Sequence, residues 1–167
     1  RKALLNIAEK TIGHTVHQDA LLVGISGRYE YKNKGIDVFI DSMKHLLNLT
    51  ELTRDIIAFI MVPAWIKGPR KDIQQLLSST NSNDSLDLQD IEYAKAYPFV
   101  THQLFEPEHD RVVNHVRHCG FKNQQKDRVK IIFVPSYLNG DDGIFNMDYY
   151  DLLIGLDMSV FPSYYEP

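Results

Sequence analysis

Residues 20–40 read ALLVGISGRYEYKNKGIDVFI, and this stretch decides the fold. It begins with a short apolar run, Ala20 to Ile25, which is typical of a buried β-strand. The polar, glycine-flanked segment from Ser26 to Lys34 predicts a loop. From Gly35 the apolar residues recur at helical spacing, so a helix is expected next. Strand, loop and helix in this order indicate the first unit of an α/β domain.

The rest of the chain repeats this alternation. Further apolar strands are predicted at Asp55–Met61, Val129–Val134 and Met158–Phe161. Helices are expected at residues 3–12, around Ile73–Leu77, from Glu108 to His118, and after Asp148 as N-cap. The segment Ser78–Ser85 predicts an exposed loop. Because continuous apolar strands must be covered on both faces, we predict one α/β domain over residues 1–167, with a parallel sheet and helices on both faces.

Composition excludes several classes of protein. The 167 residues carry 44% hydrophobic residues and a net charge of -4, so the chain is neither disordered nor a general binder of nucleic acid. Its longest apolar runs are too short to span a membrane. The single cysteine, Cys119, allows no internal disulfide and favours a reducing, cytoplasmic compartment. The chain starts at Arg1 and stops at Pro167 after an apolar segment, so we expect a piece of a larger protein.

The loops that follow the strands are where a parallel sheet binds ligands. In the first of them, Gly27 allows close approach of the backbone, and Arg28 and Lys34 add two cations at the start of the next helix. Unpaired N–H groups of that helix would complete a site for a pyrophosphate-like anion. The glycine spacing matches neither a Walker A loop nor a dinucleotide fingerprint. A turn with two solvated cations is the alternative.

Aromatic and acidic residues follow the later strands. Tyr137 and Tyr149 flank one loop and could sandwich a base ring, although aromatic residues at such positions more often fill the core. Glu166 comes directly after the last strand, at the ligand end of the sheet. Capping of a following helix is its alternative role.

No metal site is predicted. The histidine pairs His14/His17 and His115/His118 each lack a third ligand at fitting spacing. The segment 139–143 lacks the alternating acids and terminal glutamate of a calcium loop, so a turn is expected there.

Three long motifs occur in order: SGRYEYKNKGIDVFI at residues 26–40, DRVKIIFVP at 127–135 and FPSYYEP at 161–167. They resemble the signatures of animal and fungal glycogen synthases, glycosyltransferase family 3. Residues 57–64 (IAFIMVPA) and 100–104 (VTHQL) match as well. The resemblance covers nearly the whole chain.

The resemblance implies that residues 1–167 are a single Rossmann-like domain with helices on both faces of its parallel sheet, the C-terminal, donor-binding half of a GT-B fold. Such enzymes transfer glucose from UDP-glucose to the non-reducing end of glycogen or another α-1,4-glucan, with retention and without a metal or other cofactor. By the match, Arg28 and Lys34 hold the diphosphate beside Gly27, and Tyr137 and Tyr149 pack the uracil. Glu166 corresponds to the first glutamate of a paired motif and lies near the donor glucose.

Some family features are missing from this chain. It ends before the second glutamate and has no first domain, so the fragment alone is expected to be inactive. The segment from Trp65 to Phe99 is shorter than the helical insertion that supports the tetramer of eukaryotic members, although another homo-oligomer is still allowed. Two alternatives stay open: a non-catalytic nucleotide-sugar-binding module, and another GT-B glucosyltransferase such as a starch or sucrose synthase.

Overall fold

The computed structural model describes residues 1–78 and 85–165. Within these ranges the strands are β1 Leu21–Ser26, β2 Ile56–Met61, β3 Ile66–Pro69, β4 His102–Leu104, β5 Val129–Val134 and β6 Met158–Ser159. The helices are α1 Lys2–Ile12, α2 Ile36–Leu47, α3 Lys71–Leu77, α4 Leu88–Ala96, α5 Arg111–His118 and α6 Tyr149–Leu153, with a 3₁₀ turn at Pro107–His109. Most of the loop predicted at Ser78–Ser85 lies outside the described residues, and so does Glu166.

Four parallel strands form the central sheet, in the order β5-β2-β1-β6. Ser26 pairs with Met61, and Met61 pairs with Val134, so three strands end level at one edge. The chain crosses from β1 toward β2 and β5, and later returns to place β6 on the other side of β1. The strand order therefore reverses at β1, which is where open α/β sheets form a ligand crevice.

Both faces of this sheet are buried, which explains the continuous apolar runs. In β2 the alternate residues Ile56, Ala58 and Ile60 belong to one core cluster. Their neighbours Ile57, Phe59 and Met61 belong to a second cluster on the opposite face. Helices α2 and α5 pack on the first cluster, and α1, α3 and α6 supply residues to the second. The prediction of a Rossmann-like parallel sheet with helices on both faces is confirmed.

The segment between β2 and α5 holds more structure than its weak pattern predicts. A second, antiparallel sheet of β3 and β4 lies there, together with α4. The sequence pattern does not predict α4, because this helix has no apolar stripe. Its buried residue is Asp90, whose carboxylate accepts hydrogen bonds from Lys71 and Gln103. The helix predicted from Glu108 begins instead at Arg111, because the carboxylate of Asp110 caps it by accepting from the Val113 amide.

The connection from β1 to α2 depends on a close approach of two backbones. Gly35, which precedes α2, adopts a left-handed conformation with φ of 67°. A Cβ atom at this position would lie 2.1 Å from the carbonyl oxygen of Pro162, which follows β6. Only glycine satisfies both requirements. Because Asn33 also accepts a hydrogen bond from the Tyr164 amide, the loops after β1 and β6 are held together.

A buried histidine links β4 to the loop after β5. The ring of His102 is fully buried, with Nε2 3.0 Å from the carbonyl oxygen of Asp142 and Nδ1 2.8 Å from the hydroxyl of Thr101. A neutral ring with its proton on Nε2 satisfies both contacts. Burial lowers the pKa of His102 below its ordinary value, although the nearby Asp142 acts in the opposite direction. The folded state therefore favours the uncharged imidazole.

We expect Gly35→Ala to destabilise the domain more than Gly13→Ala. Both glycines have positive φ, but a Cβ atom at Gly13 meets nothing within 4 Å. Gly13→Ala, the control, should therefore lower the free energy of unfolding only by the cost of placing a side chain at positive φ, about 1–2 kcal/mol. The clash with Pro162 should add roughly 1–3 kcal/mol at position 35. Urea denaturation measures both free energies of unfolding, and equal losses would contradict the close approach.

Acidification should weaken the fold through His102. Because its pKa is lower when folded, the unfolded chain binds the proton more readily, and stability falls as the pH drops below about 6.5. His102→Gln removes the titrating group and should flatten this fall. Urea denaturation of both proteins between pH 5 and pH 7.5 compares the slopes. Parallel profiles would mean that His102 contributes nothing to the pH dependence.

Candidate donor site

A cleft of about 480 Å³ opens at the carboxyl edge of the parallel sheet. Every strand of that sheet leads into it. The lining residues come from the ends of β1 and β2 and from the segments after β5 and β6: Ser26, Gly27, Lys34, Met61, Pro63, Ser136, Tyr137, Leu138, Asn139, Tyr149, Phe161 and Ser163. The cleft thus lies at the reversal of strand order, where such sheets bind ligands. Of the six residues predicted for the site, the structure places Gly27, Lys34, Tyr137 and Tyr149 around this one cleft.

Two tyrosines supply the aromatic part of the cleft. The Tyr149 hydroxyl lies 2.6 Å from the hydroxyl of Ser26, so the start of α6 is joined to the end of β1. The amide of Tyr149 donates to the carbonyl of Leu138, which holds α6 against the loop after β5. Tyr137 is 75% exposed at the rim. An exposed ring at the rim and a fixed ring below it suit the binding of a planar aromatic group.

Gly27 and Lys34 supply a backbone segment and a cation on the β1 side of the cleft. Gly27 has φ of 139°, and a Cβ atom there would meet nothing within 4 Å, so a ligand can approach the main chain closely. Lys34 also lines the cleft, one residue before the close approach at Gly35. Together they offer an uncovered peptide and an ammonium group, which is the chemistry that binds an anion.

The amides at the start of α2 do not contribute as the sequence predicted. The N–H groups of Ile36 and Asp37 donate to the carbonyl of Tyr31, at 3.1 and 3.5 Å, instead of pointing unpaired into the crevice. The Asp37 carboxylate is buried and lies 2.5 Å from the Lys32 ammonium. Burial alone would raise its pKa, but Lys32 and backbone amides hold the pKa of Asp37 below its ordinary value. Because the Asp37 carboxylate occupies the N-terminus of α2, an anionic ligand would bind beside this terminus and not on its amides.

Arg28 lies next to the cleft and does not line it. Its side chain is 75% exposed, and its Nε atom is 3.0 Å from a carboxylate oxygen of Glu30. Such exposed ion pairs contribute only about 0–1 kcal/mol, so the pair opposes reorientation of the guanidinium weakly. The geometry leaves Arg28 able to exchange Glu30 for a more highly charged anion. Its predicted role stays a prediction.

The loop that carries these cations is braced by two tyrosines. Tyr29 packs edge-on against Phe133, and its hydroxyl accepts from the amide of Val112 at the start of α5. Burial raises the pKa of Tyr29, and the neighbouring Asp110 acts in the same direction. Tyr31 contacts α5 as well, with its hydroxyl 2.6 Å from Nδ1 of His115. The sequence contained a signal for this role, since the two tyrosines alternate in an otherwise polar loop.

Several lining residues were not predicted individually. Met61, Pro63, Ser136 and Phe161 were overlooked because their side chains carry no distinctive chemistry. Each lies at a strand end or within two residues after one. Their position in the fold, and not the chemistry of their side chains, therefore indicates that they line the cleft. Glu166, the last predicted site residue, lies outside the described residues.

Within residues 1–78 and 85–165, one group of potential metal ligands has its atoms close together: Asp41, His115 and Cys119. The ring of His115 already contacts the Asp41 carboxylate at 2.7 Å and the Tyr31 hydroxyl. The calcium-like segment is a turn, because the Asp142 carboxylate accepts from the amides of residues 144–146. In the same part of the chain, no helix is long and apolar enough to cross a membrane.

The chain matches the family model described as glycogen synthase at residues 12–76 and 66–167. It is 29% identical to glycogen [starch] synthase isoform 1 of Saccharomyces cerevisiae, with 86% of this chain and 27% of the relative covered. Identity to the human liver glycogen [starch] synthase is 28%, over 90% of this chain and 27% of the relative. Identity to the Dictyostelium discoideum glycogen [starch] synthase is 26%, over 89% of this chain and 22% of the relative.

The chain spans about a quarter of the length of these curated relatives. The alignment with the yeast protein runs over 194 positions, more than the 167 residues of the chain, so the relative has residues that this chain lacks. The two matched segments overlap at residues 66–76, inside the stretch expected to be short. Together the two segments extend from residue 12 to residue 167, well over half of the sequence, and the chain therefore belongs to the glycogen synthase family.

Proposed function

We propose that this chain is the donor-binding domain of a glucosyltransferase that moves glucose from UDP-glucose to the non-reducing end of an α-1,4-glucan. One observation carries the proposal: Gly27, Lys34, Tyr137 and Tyr149 surround a single cleft at the carboxyl edge of a parallel sheet. These residues belong to separate segments of the sequence. A flat aromatic site and an anion site, joined in one cleft, fit the two ends of a nucleoside diphosphate.

The uracil ring would lie against Tyr149, with Tyr137 closing over it from the rim. Because Tyr149 is fixed through Ser26, its ring is already oriented before the donor binds. The diphosphate would then extend toward Gly27 and Lys34. Arg28 would turn from Glu30 to the phosphate oxygens, where a guanidinium can donate two hydrogen bonds in parallel.

The chemical step places negative charge on the departing UDP. The bond between the anomeric carbon and the β-phosphate oxygen breaks, the acceptor hydroxyl oxygen forms the new bond to the same carbon with retention, and the hydroxyl proton passes to the departing phosphate oxygen. Arg28 and Lys34 would stabilise the charge on the phosphate as that bond breaks. Glu166 would face the positive charge that develops on the sugar. With two cations in place we propose that the reaction needs no metal ion.

The remaining assignments rest on the family. The glucan acceptor is proposed from what the relatives are named for, and a first domain on the other side of the cleft would complete the enzyme. We propose a cytoplasmic location on the basis of the single cysteine. That residues 1–167 form one domain and that copies of the protein associate both stay predictions.

A module that binds a nucleotide sugar without transferring the sugar is the second candidate function. Such a module needs no cation at a departing phosphate, and in this structure Arg28 pairs with Glu30 outside the cleft. A fold alone does not distinguish the two functions. Activity of the intact protein does, as the first test below describes.

Arg28→Ala in the intact enzyme should lower kcat for glucosyl transfer from UDP-glucose by about 10²–10³-fold, because one donor to the departing phosphate is lost. Lys32→Ala is the matched control. It removes the same charge from the same loop, but its ammonium contacts Asp37. Steady-state kinetics with varied donor measures both variants. Wild-type turnover in Arg28→Ala would refute the catalytic role, and an inactive wild-type enzyme that binds UDP-glucose would favour the module.

Tyr149→Ala should weaken UDP binding by roughly 5–150-fold, the range expected from the loss of a stacked base. Tyr149→Phe keeps the ring and removes only the contact with Ser26, so we expect a much smaller loss. Isothermal titration calorimetry with UDP compares the two variants with the wild type. If Tyr149→Ala binds UDP with unchanged affinity, the base lies elsewhere.

A further inference from the structure

Two stacked aromatic rings lie on the surface close to the cleft. Trp65 and Phe105 have ring centroids 4.4 Å apart with planes inclined by 29°. Trp65 is 70% exposed, and Phe105 is 42% exposed. Single exposed aromatic residues are common, but two in face-to-face contact form a continuous apolar platform. We call this pair the aromatic platform.

The backbone holds the aromatic platform in place. Trp65 directly precedes β3, and Phe105 directly follows β4. The Phe105 amide donates to the Trp65 carbonyl at 3.2 Å, which extends the antiparallel pairing of the two strands. The rings are therefore a cross-strand pair, oriented before any ligand arrives. The Lys67 ammonium lies 5.8 Å from the centre of the Phe105 ring.

Beside the platform is a small cavity of about 180 Å³, lined by Trp65, Leu104, Glu106, His109 and Asp110. Its lining thus combines an apolar part, the indole and Leu104, with a polar part of two carboxyl groups and an imidazole. The Asp110 carboxylate already accepts the Val113 amide at the start of α5. Glu106 and His109 are exposed and offer groups that can hydrogen-bond to a ligand.

This combination of an apolar part and a polar part matches one class of ligand. A pyranose ring has a face of C–H groups and an edge of hydroxyl groups. The face can pack on an indole, and the hydroxyl groups can donate to carboxylates. A protein hot spot would instead bury an apolar anchor in a desolvated pocket. The cavity holds a small ring and not a whole extended ligand, so it fits a subsite in a longer binding path.

The platform lies close to the donor cleft along the chain. Pro63 lines the cleft, and Trp65 follows two residues later, so their Cα atoms are at most about 7 Å apart. Tyr29 lies in residues 27–35 between β1 and α2, which we call the donor loop, and it also contacts Asp110, which lines the small cavity. A glucan chain that leaves the donor cleft past Pro63 would thus come within reach of the platform.

We infer that Trp65 and Phe105, with Glu106 and His109 beside them, form a subsite for a glucosyl unit of the acceptor glucan. The inference rests on the proposed glucosyl transfer. Trp65 provides the stacking face and the two polar residues bind hydroxyl groups. The subsite contacts the acceptor away from the bond that forms, so it affects acceptor affinity and not the chemical step.

The test uses the intact enzyme with maltoheptaose as acceptor. At saturating UDP-glucose, Trp65→Ala should raise the KM for maltoheptaose about tenfold, while kcat and the KM for UDP-glucose stay unchanged. Trp65→Tyr keeps an aromatic face and should stay near the wild type. Ile154→Ala is the matched control, because Ile154 is an apolar side chain with 83% exposure and lies outside both cavities.

Direct binding separates this inference from the proposed function. Isothermal titration calorimetry measures maltoheptaose and UDP affinity for each variant, so the subsite is tested even if the wild-type enzyme transfers no glucose. Loss of maltoheptaose affinity in Trp65→Ala with unchanged UDP affinity supports the subsite. Unchanged maltoheptaose affinity overturns it. A change of oligomeric state in Trp65→Ala, seen by sedimentation without loss of maltoheptaose affinity, also overturns it and assigns the platform to a protein contact.

Discussion

The parallel sheet is covered by apolar side chains on both of its faces, and this constraint determines where polar groups can lie. In β2 and β5 every residue is buried, which leaves no room for ligand chemistry along the strands themselves. Polar and charged groups can only be placed at the strand ends. Because Ser26, Met61 and Val134 end level, the segments that follow meet at one edge and form the cleft. The cleft is therefore a consequence of the register of the sheet.

The donor loop combines a fixed backbone with exposed cationic side chains. Tyr29 and Tyr31 attach it to α5, and Gly35 presses it against the segment after β6. Just before these anchors, the Arg28 side chain extends into solvent and pairs with Glu30. Anchoring of the main chain reduces the entropy lost when a ligand binds. The weak surface ion pair keeps the cost of moving the guanidinium small.

Much of the fold could be predicted from sequence because it follows from hydrophobic periodicity. The predicted bounds of β5 match the observed ones, and those of β1 are displaced by one residue, since both are largely apolar runs flanked by polar segments. By contrast, α4 packs through the polar residue Asp90 and gives no periodic signal. The amides of α2 were expected to be unpaired, but the folded loop brings the Tyr31 carbonyl to them. Contacts of that kind depend on loop conformation, which no spacing rule supplies.

The residues of the site could be predicted less completely than the fold. Strand ends and side-chain chemistry identified the loops that line the cleft and, within them, Lys34, Tyr137 and Tyr149, and the family resemblance suggested their roles. Neither source indicated that Trp65 would stack on Phe105, because the two residues are 40 positions apart and meet only through the pairing of β3 with β4. The burial of His102 was not predicted for the same reason, since its partner Asp142 belongs to a loop whose position relative to β4 the sequence does not give.

Trp65 of the platform borders the part of the chain where comparison with relatives is least informative. The matched family segments overlap at residues 66–76, and the alignments require positions that this chain does not have. Here the chain connects β2 to α5 through the short β3–β4 pair and α4, and it exposes Trp65 at the end of that pair nearest the cleft. The contacts of relatives therefore do not assign a surface at the border of this segment. Its role has to be argued from its own chemistry, which is an aromatic face, a polar lining and a short distance to the donor cleft.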